Sequence, residues 1–185
     1  MRLNLVVDAQ KPPGKGRPYG GLQVYCNKNL HASVVSQSNH HLAIKIGLVT
    51  LIGCYYQPTM CIDDIVCDIE AALSKAPDIN RVVFGGDFNL RPEKKEFDEV
   101  VSIFSQNRIS LRSDLGIPTY LYSSGRSTID HIFMSTLLNS PSFTVHNVTV
   151  SDHLPISTTM RIKKNQSKYD ITIYAMHQYA IQSGS

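Results

Sequence analysis

Residues 81–90 read RVVFGGDFNL. Val82, Val83 and Phe84 form a short unbroken apolar run, the pattern of a strand covered on both faces. Gly85 and Gly86 follow it, and Asp87 and Asn89 then bracket Phe88. Two readings compete for those polar residues. Asp87 and Asn89 can be Asx-turn residues that satisfy nearby backbone groups. Alternatively, the strand carries them to its carboxyl end, where ligands gather in α/β sheets. Taken alone, the stretch favours the turn.

Upstream, HLAIKIGLVTLIGCYY (41–56) reads as two strands meeting near Gly47, with alternation clearest at Leu42, Ile44 and Ile46. Pro58 stops the second strand. Ile62, Ile65, Val66, Ile69, Ala72 and Leu73 then recur at spacings of three and four, giving a helix with one apolar stripe. Asp63 and Asp64 lie in its first turn and Pro77 marks its end. Downstream, Pro92 is placed to open a second helix whose buried stripe is Phe97, Val100, Val101 and Phe104. TYLYSS and STIDHIFMS read as paired strands around Gly125 and Arg126. FTVHNVTV is a further strand, and SDHLPISTTMRI a loop leading into a last one. Near the start, LQVYC is a short strand, preceded by a Pro- and Gly-rich loop from Lys11 to Gly21. More strands than two helices can serve in a simple βαβ sheet imply a layered α/β sandwich, with sheets packed face to face and helices outside. Lys163 to Ser185 reads as a tail, open between a linker, an added strand and a disordered end.

The 185 residues suit one domain, and 42% hydrophobic with 18% charged residues excludes wholesale disorder. A net charge of +3 permits a polyanionic partner but does not argue for one. Cys26, Cys54, Cys61 and Cys67 form no zinc-type spacing and read as buried reduced thiols of an intracellular protein. MRLNLVVDAQ is too short and polar for a signal peptide, and no segment is apolar enough to cross a membrane. The expected location is therefore nuclear or cytoplasmic. His40, His41 and His146 have no partners by spacing and read as exposed, while His131 reads as packing or surface.

Four polar sets stand at strand ends: Tyr56 in YYQP, Asp87 with Asn89 in GGDFN, Asp130 in STIDHI, and Ser151-Asp152-His153 in SDHLP. Each taken singly is a turn residue or a half-buried strand aromatic. Together, three carboxylates, an imidazole and an amide suit a divalent cation and a proton transfer. Tyr56-Gln57-Pro58, GDFN at 86–89, Ser127 to Asp130 and SDH at 151–153 stand in the order of the endonuclease/exonuclease/phosphatase superfamily, which the chain resembles from about Gly16 to Ile162. GRPYGGLQVY, GRSTIDHI and SDHLPI look most like the endonuclease domain of non-LTR (LINE-type) retrotransposons.

The resemblance implies a DNase I-like domain over residues 1–162 followed by the 163–185 tail. It implies Mg²⁺-dependent phosphodiester hydrolysis on DNA, with Mn²⁺ as the alternative ion and a reverse transcriptase as companion domain. By position, Asp130 would orient His153, and the pair would stabilise charge on the attacked phosphate. Asp87 would orient or deprotonate water with Asn89 beside it, Asp152 would hold the metal, and Tyr56 and Ser127 would contact the phosphate. Gly85 and Gly86 would keep backbone bulk away from the substrate.

The family also places an asparagine and a glutamate, often written E-T, upstream of the Lys11–Gly21 loop. Neither Asn4 nor Asp8 stands in such a motif. An N-terminally incomplete domain is the expectation, so a catalytically inactive remnant stands beside the active endonuclease. A same-fold phosphatase or phospholipid phosphodiesterase is the third reading.

Overall fold

The apolar run at Val82–Phe84 becomes the middle of a six-stranded sheet. The computed structural model describes residues 3–7, 21–26, 30–122, 125–138, 142–148, 151–164 and 167–175. Asp8, most of the Lys11–Gly21 loop and the last ten residues lie outside the described residues. In chain order the strands are β1 (Leu3–Val7), β2 (Leu22–Cys26), β3 (Ala32–Gln37), β4 (His41–Ile46), β5 (Val49–Tyr55), β6 (Val82–Asp87) and β7 (Ile109–Leu111). They continue with β8 (Tyr120–Tyr122), β9 (Gly125–Ser127), β10 (Asp130–Ser135), β11 (Ser142–Val145), β12 (Ile156–Lys164) and β13 (Ser167–Ala175). The helices are α1 (Ile62–Ser74) and α2 (Lys95–Gln106). No described helix is long and apolar enough to cross a membrane.

The large sheet runs β3-β4-β5-β6-β10-β7. Only β5 and β6 pair in parallel, because α1 makes the crossover between them. A second sheet, β11-β12-β13, is antiparallel throughout, and β1-β2 and β8-β9 are two-stranded ribbons. Strand alternation sorts the core into two layers. Ala43, Ile52, Cys54, Val82, Phe84 and Phe133 turn towards α1 and α2. Val49, Val83, Ile132 and Met134 turn the other way, against Ile156 and Met160 of β12. Leu42, Ile44 and Ile46 pack against Leu22 and Val24 of β2. The layered α/β sandwich is thus present, and both described helices pack on the large sheet. The ITIYA stretch in the tail is an added strand, since β13 pairs with β12 from Ser167 to Ala175.

Helix α1 buries Ile65, Ile69, Ala72 and Leu73, the core of the expected stripe. Helix α2 buries Phe97, Val100 and Phe104 but opens at Lys95, three residues after Pro92. The proline sits instead in a turn closed by the Lys94 N–H donating to the Arg91 carbonyl at 3.0 Å. Cys61, which caps the start of α1, and Cys67 on it are exposed, against the expectation of buried thiols, because neither joins the apolar stripe of the helix. Of the described cysteines, Cys54 is buried.

His41 also departs from expectation. It lies on the helix-facing side of β4, is 4% exposed, and its Nδ1 stands 3.0 Å from both oxygens of Asp68 on α1. Ser38 and the Tyr56 hydroxyl donate to the same carboxylate, at 2.7 and 3.1 Å. Burial alone would raise the Asp68 pKa, but the hydrogen bonds from His41 and Ser38 outweigh it and hold the group below its ordinary 3.8.

Gly86 explains why glycine precedes Asp87. Its φ is +153°, and a Cβ there would fall on the Cys54 carbonyl of β5. A Cβ on Gly85 would come within 3.2 Å of the His131 carbonyl on β10. The glycines therefore let β6 sit close between its two neighbours. The clearance they give is to backbone of the sheet, not to a substrate.

Two outcomes follow. Gly86→Ala should cost about 3 kcal/mol or more by overpacking against backbone, whereas Gly53→Ala, which meets nothing within 4 Å, should change Tm little. Thermal unfolding of both variants checks this. For Asp68, a lowered folded pKa means that its stabilisation is present above its ordinary value and lost as pH falls through the folded one. The Tm difference between wild type and Asp68→Asn should accordingly be largest near about pH 6 and shrink towards about pH 3.

Candidate functional site

Asp87 ends β6 and Asp130 opens β10, and the antiparallel register pairs them directly. Directly opposed residues project to one face. Here it is the face turned towards the second sheet, as the flanking Val83 and Ile132 show. Each aspartate is 5% exposed. Two carboxylates side by side and out of water repel, and the strain falls on Asp87. Burial first, and the charge of Asp130 second, raise its pKa to about 8, against the opposing pull of His153 and Asn89.

His153 is the third member. Its Nδ1 lies 3.1 and 3.2 Å from the Asp130 oxygens, and its Nε2 faces Asp87 Oδ2 at 3.9 Å. Burial would lower the imidazole pKa, but the hydrogen bond and charge of Asp130, with Asp87 and Asp152 behind it, raise it overall. The ring therefore holds a proton more firmly than an ordinary imidazole, bound to one carboxylate and aimed at the other.

A segment without any sequence motif holds this pair together. The buried Thr119 hydroxyl accepts from the N–H groups of Ile129 and Asp130, at 3.1 and 3.0 Å. Next to it Tyr120 forms a β-bridge with His153, its ring centroid 4.6 Å from the imidazole. Leu121 N–H donates to the Asp152 carbonyl and Leu154 N–H to the Thr119 carbonyl, both at 2.7 Å. Residues 119–121 thus fix Asp130 on one side and His153 on the other. A threonine ahead of a short aromatic strand carries no signal that would have found them.

Asn89 is where the sequence placed it. Its backbone N–H and its Nδ2 donate to the two oxygens of Asp87, at 2.9 and 3.0 Å. This is the Asx-turn geometry of the plainer reading, with φ of 51° at Asn89, and it serves the cleft as well. Phe88 between them is fully buried, with its ring 5.4 Å from Phe133 and 5.9 Å from Phe84. Burial of one such ring is worth about 1.5–3 kcal/mol, which anchors the turn in the aromatic core.

The structure separates the two tyrosines of YYQP. Tyr56 is fully buried on the helix side, its hydroxyl bound to Asp68, so it does not reach the cluster. Alternation sends its neighbour the other way. Tyr55 pairs in register with Asp87. Its phenol pKa is raised by burial and by the Asp87 charge. Tyr55, Asp87 and Asp130 therefore form one row across β5, β6 and β10. Ser127 is not gathered in either. Its hydroxyl is buried without a partner, beside a groove of about 600 Å³ lined by Pro92, Glu93, Leu115 and Arg126. Asp152 flanks the cluster, its carboxylate accepting from Ser151 and Tyr120 and its charge acting on His153. His131 points into the helix layer, where burial lowers its pKa to about 4 and Nε2 meets the Leu90 carbonyl at 3.0 Å.

Asp87, Asp130 and His153 offer ligand atoms all within 4.8 Å of one another. The repulsion between the two carboxylates is what a divalent cation relieves, and carboxylate oxygens suit Mg²⁺ and Mn²⁺. The two carboxylates of this set fit such an ion, and the imidazole could join them only in its neutral form.

A family model described as endonuclease-reverse transcriptase matches residues 49–157. No curated protein sequence matches the chain. Among solved structures, the endonuclease domain of TRAS1, a telomere-specific non-LTR retrotransposon, is similar at 18% identity and a TM-score of 0.70, over 87% of this chain and 81% of that one. The 3′ phosphatase NExo from Neisseria, bound to a product DNA hairpin, is similar at 17% identity and 0.56, over 83% and 77%. A functionally unknown conserved protein from Enterococcus faecalis follows at 13% and 0.53, over 84% and 75%. At these identities the structures share the fold, which is that of DNase I-like endonuclease domains. The family match spans more than half of the residues and contains Asp87, Asp130 and His153, and the chain belongs to the endonuclease-reverse transcriptase family.

Proposed function

We propose that the chain is a metal-dependent phosphodiesterase that nicks DNA, working as the endonuclease module beside a reverse transcriptase. The observation that carries this reading is the Asp130–His153–Asp87 cluster, in which the imidazole held by Asp130 faces the Asp87 carboxylate at 3.9 Å. A carboxylate whose pKa lies near 8 accepts a proton from water more readily than an ordinary one. Asp87 is then the group that orients and deprotonates the attacking water, with Asn89 fixing both of its oxygens. His153, held in tautomer and direction by Asp130, donates to the phosphate as negative charge builds on it. Asp152 would hold Mg²⁺ or Mn²⁺, which supplies charge neutralisation at the phosphoryl oxygens when bound. Tyr55, in the row beside Asp87, takes the phosphate-facing place expected of Tyr56.

Nicking of supercoiled plasmid in Mg²⁺ or Mn²⁺ tests the reading. Asp87→Asn and His153→Ala should each lower the rate by about 100-fold or more, the range of positioned acid–base groups. Residual nicking equal in wild type and both variants would sink the mechanism. Tyr55→Phe should reduce the rate by about tenfold, as expected for one lost hydrogen bond to a charged group. An unchanged rate would return Tyr55 to a packing role.

A further inference from the structure

We propose that Asp68 is a positioning residue for Asp87, acting across the sheet through Tyr56 and Asn89. The inference rests on the proposed role of Asp87 and assigns a task to a buried carboxylate–imidazole pair that the mechanism leaves unused. Asp68 is itself immobilised, since Ser38 and His41 hold its carboxylate at 2.7 and 3.0 Å. His41 in turn is fixed from its other nitrogen, which lies 3.2 Å from the Ser36 hydroxyl.

The remaining acceptor position of Asp68 takes the Tyr56 hydroxyl at 3.1 Å. Tyr56 has no exposed surface, and its ring packs 5.7 Å from that of Phe88. Its backbone is what the cleft uses. The Tyr56 N–H donates to the Asp87 carbonyl at 2.9 Å, and the Tyr56 carbonyl accepts from Asn89 Nδ2 at 2.8 Å. The same Nδ2 donates to Asp87 Oδ2. An amide nitrogen has two hydrogens, so both are assigned, one to Tyr56 and one to Asp87.

Asn89 therefore points at Asp87 only while the Tyr56 carbonyl stays where it is. Gln57 follows Tyr56 and opens a turn over Pro58 and Thr59, closed by the Met60 N–H donating to the Gln57 carbonyl at 3.0 Å. The hydroxyl tie to α1 adds a restraint from the helix layer. Displacements of about 1 Å in a positioning group cost up to 10²-fold in rate, and a chain of short buried contacts transmits such a shift.

The test compares Tyr56→Phe, Asp68→Ala and Asp68→Asn in plasmid nicking, with Tm measured alongside and the assay run well below it. Tyr56→Phe and Asp68→Ala should lower kcat by about tenfold with KM within about twofold. Asp68→Asn keeps an acceptor for the hydroxyl and should restore most of kcat. The side-chain amide resonances of Asn89, read by ¹H–¹⁵N NMR, should shift in the first two variants and not in the third. A lower Tm with unchanged kcat and unchanged Asn89 resonances would overturn the proposal and leave Asp68 as a tie between α1 and the sheet. Wild type without nicking would defeat the proposed function instead, and the Asn89 resonances would still decide the role of Asp68.

Discussion

The structure turns on the repulsion between Asp87 and Asp130. Antiparallel pairing of β6 and β10 sets the two carboxylates side by side and removes them from water. That arrangement costs free energy in the unliganded fold, and everything near it moderates the cost. His153 brings its imidazole to both carboxylates, Asn89 brings two donors, and a cation held there would offset the charge. Burial first, and the same repulsion second, raise the Asp87 pKa to about 8. Strain and reactivity are here one property.

Much of the scaffold was legible in the sequence because periodicity reports burial. The stripe from Ile65 to Leu73 and the run Val82–Phe84 follow from side-chain geometry alone, and the structure buries them as expected. The site was legible in a different way. Asp87, Asn89, Asp130 and His153 gained meaning only as an ordered set, since each passes singly for a turn residue. Asn89 shows that the two readings do not exclude each other: an Asx turn that satisfies backbone can also hold a carboxylate in place.

What stayed hidden depends on contacts between distant segments. A one-residue alternation decides whether Tyr55 or Tyr56 joins the row of Asp87 and Asp130, and a motif written as Y-x-P does not record strand pairing. His41 meets only the hydroxyls of Ser36 and Ser38 nearby in the chain, and its carboxylate partner Asp68 arrives from a helix 27 residues later. The glycines before Asp87 look like room for a ligand until β5 is placed against them. Thr119 and Tyr120 organise Asp130 and His153 while matching no pattern.

The adjacent residues Asp130 and His131 serve two different environments. One lies among charges in the cleft, and the other lies against Phe97 and Phe88 in a layer that keeps it neutral at physiological pH. Sliding β10 by a single residue would exchange them, driving a carboxylate into an aromatic core and withdrawing the partner of His153. Misaligned β10 is thereby penalised on both faces of the sheet at once. The dipeptide that equips the cleft also checks the alignment of the strand that bears it, so a chain folded out of step loses stability and chemistry together.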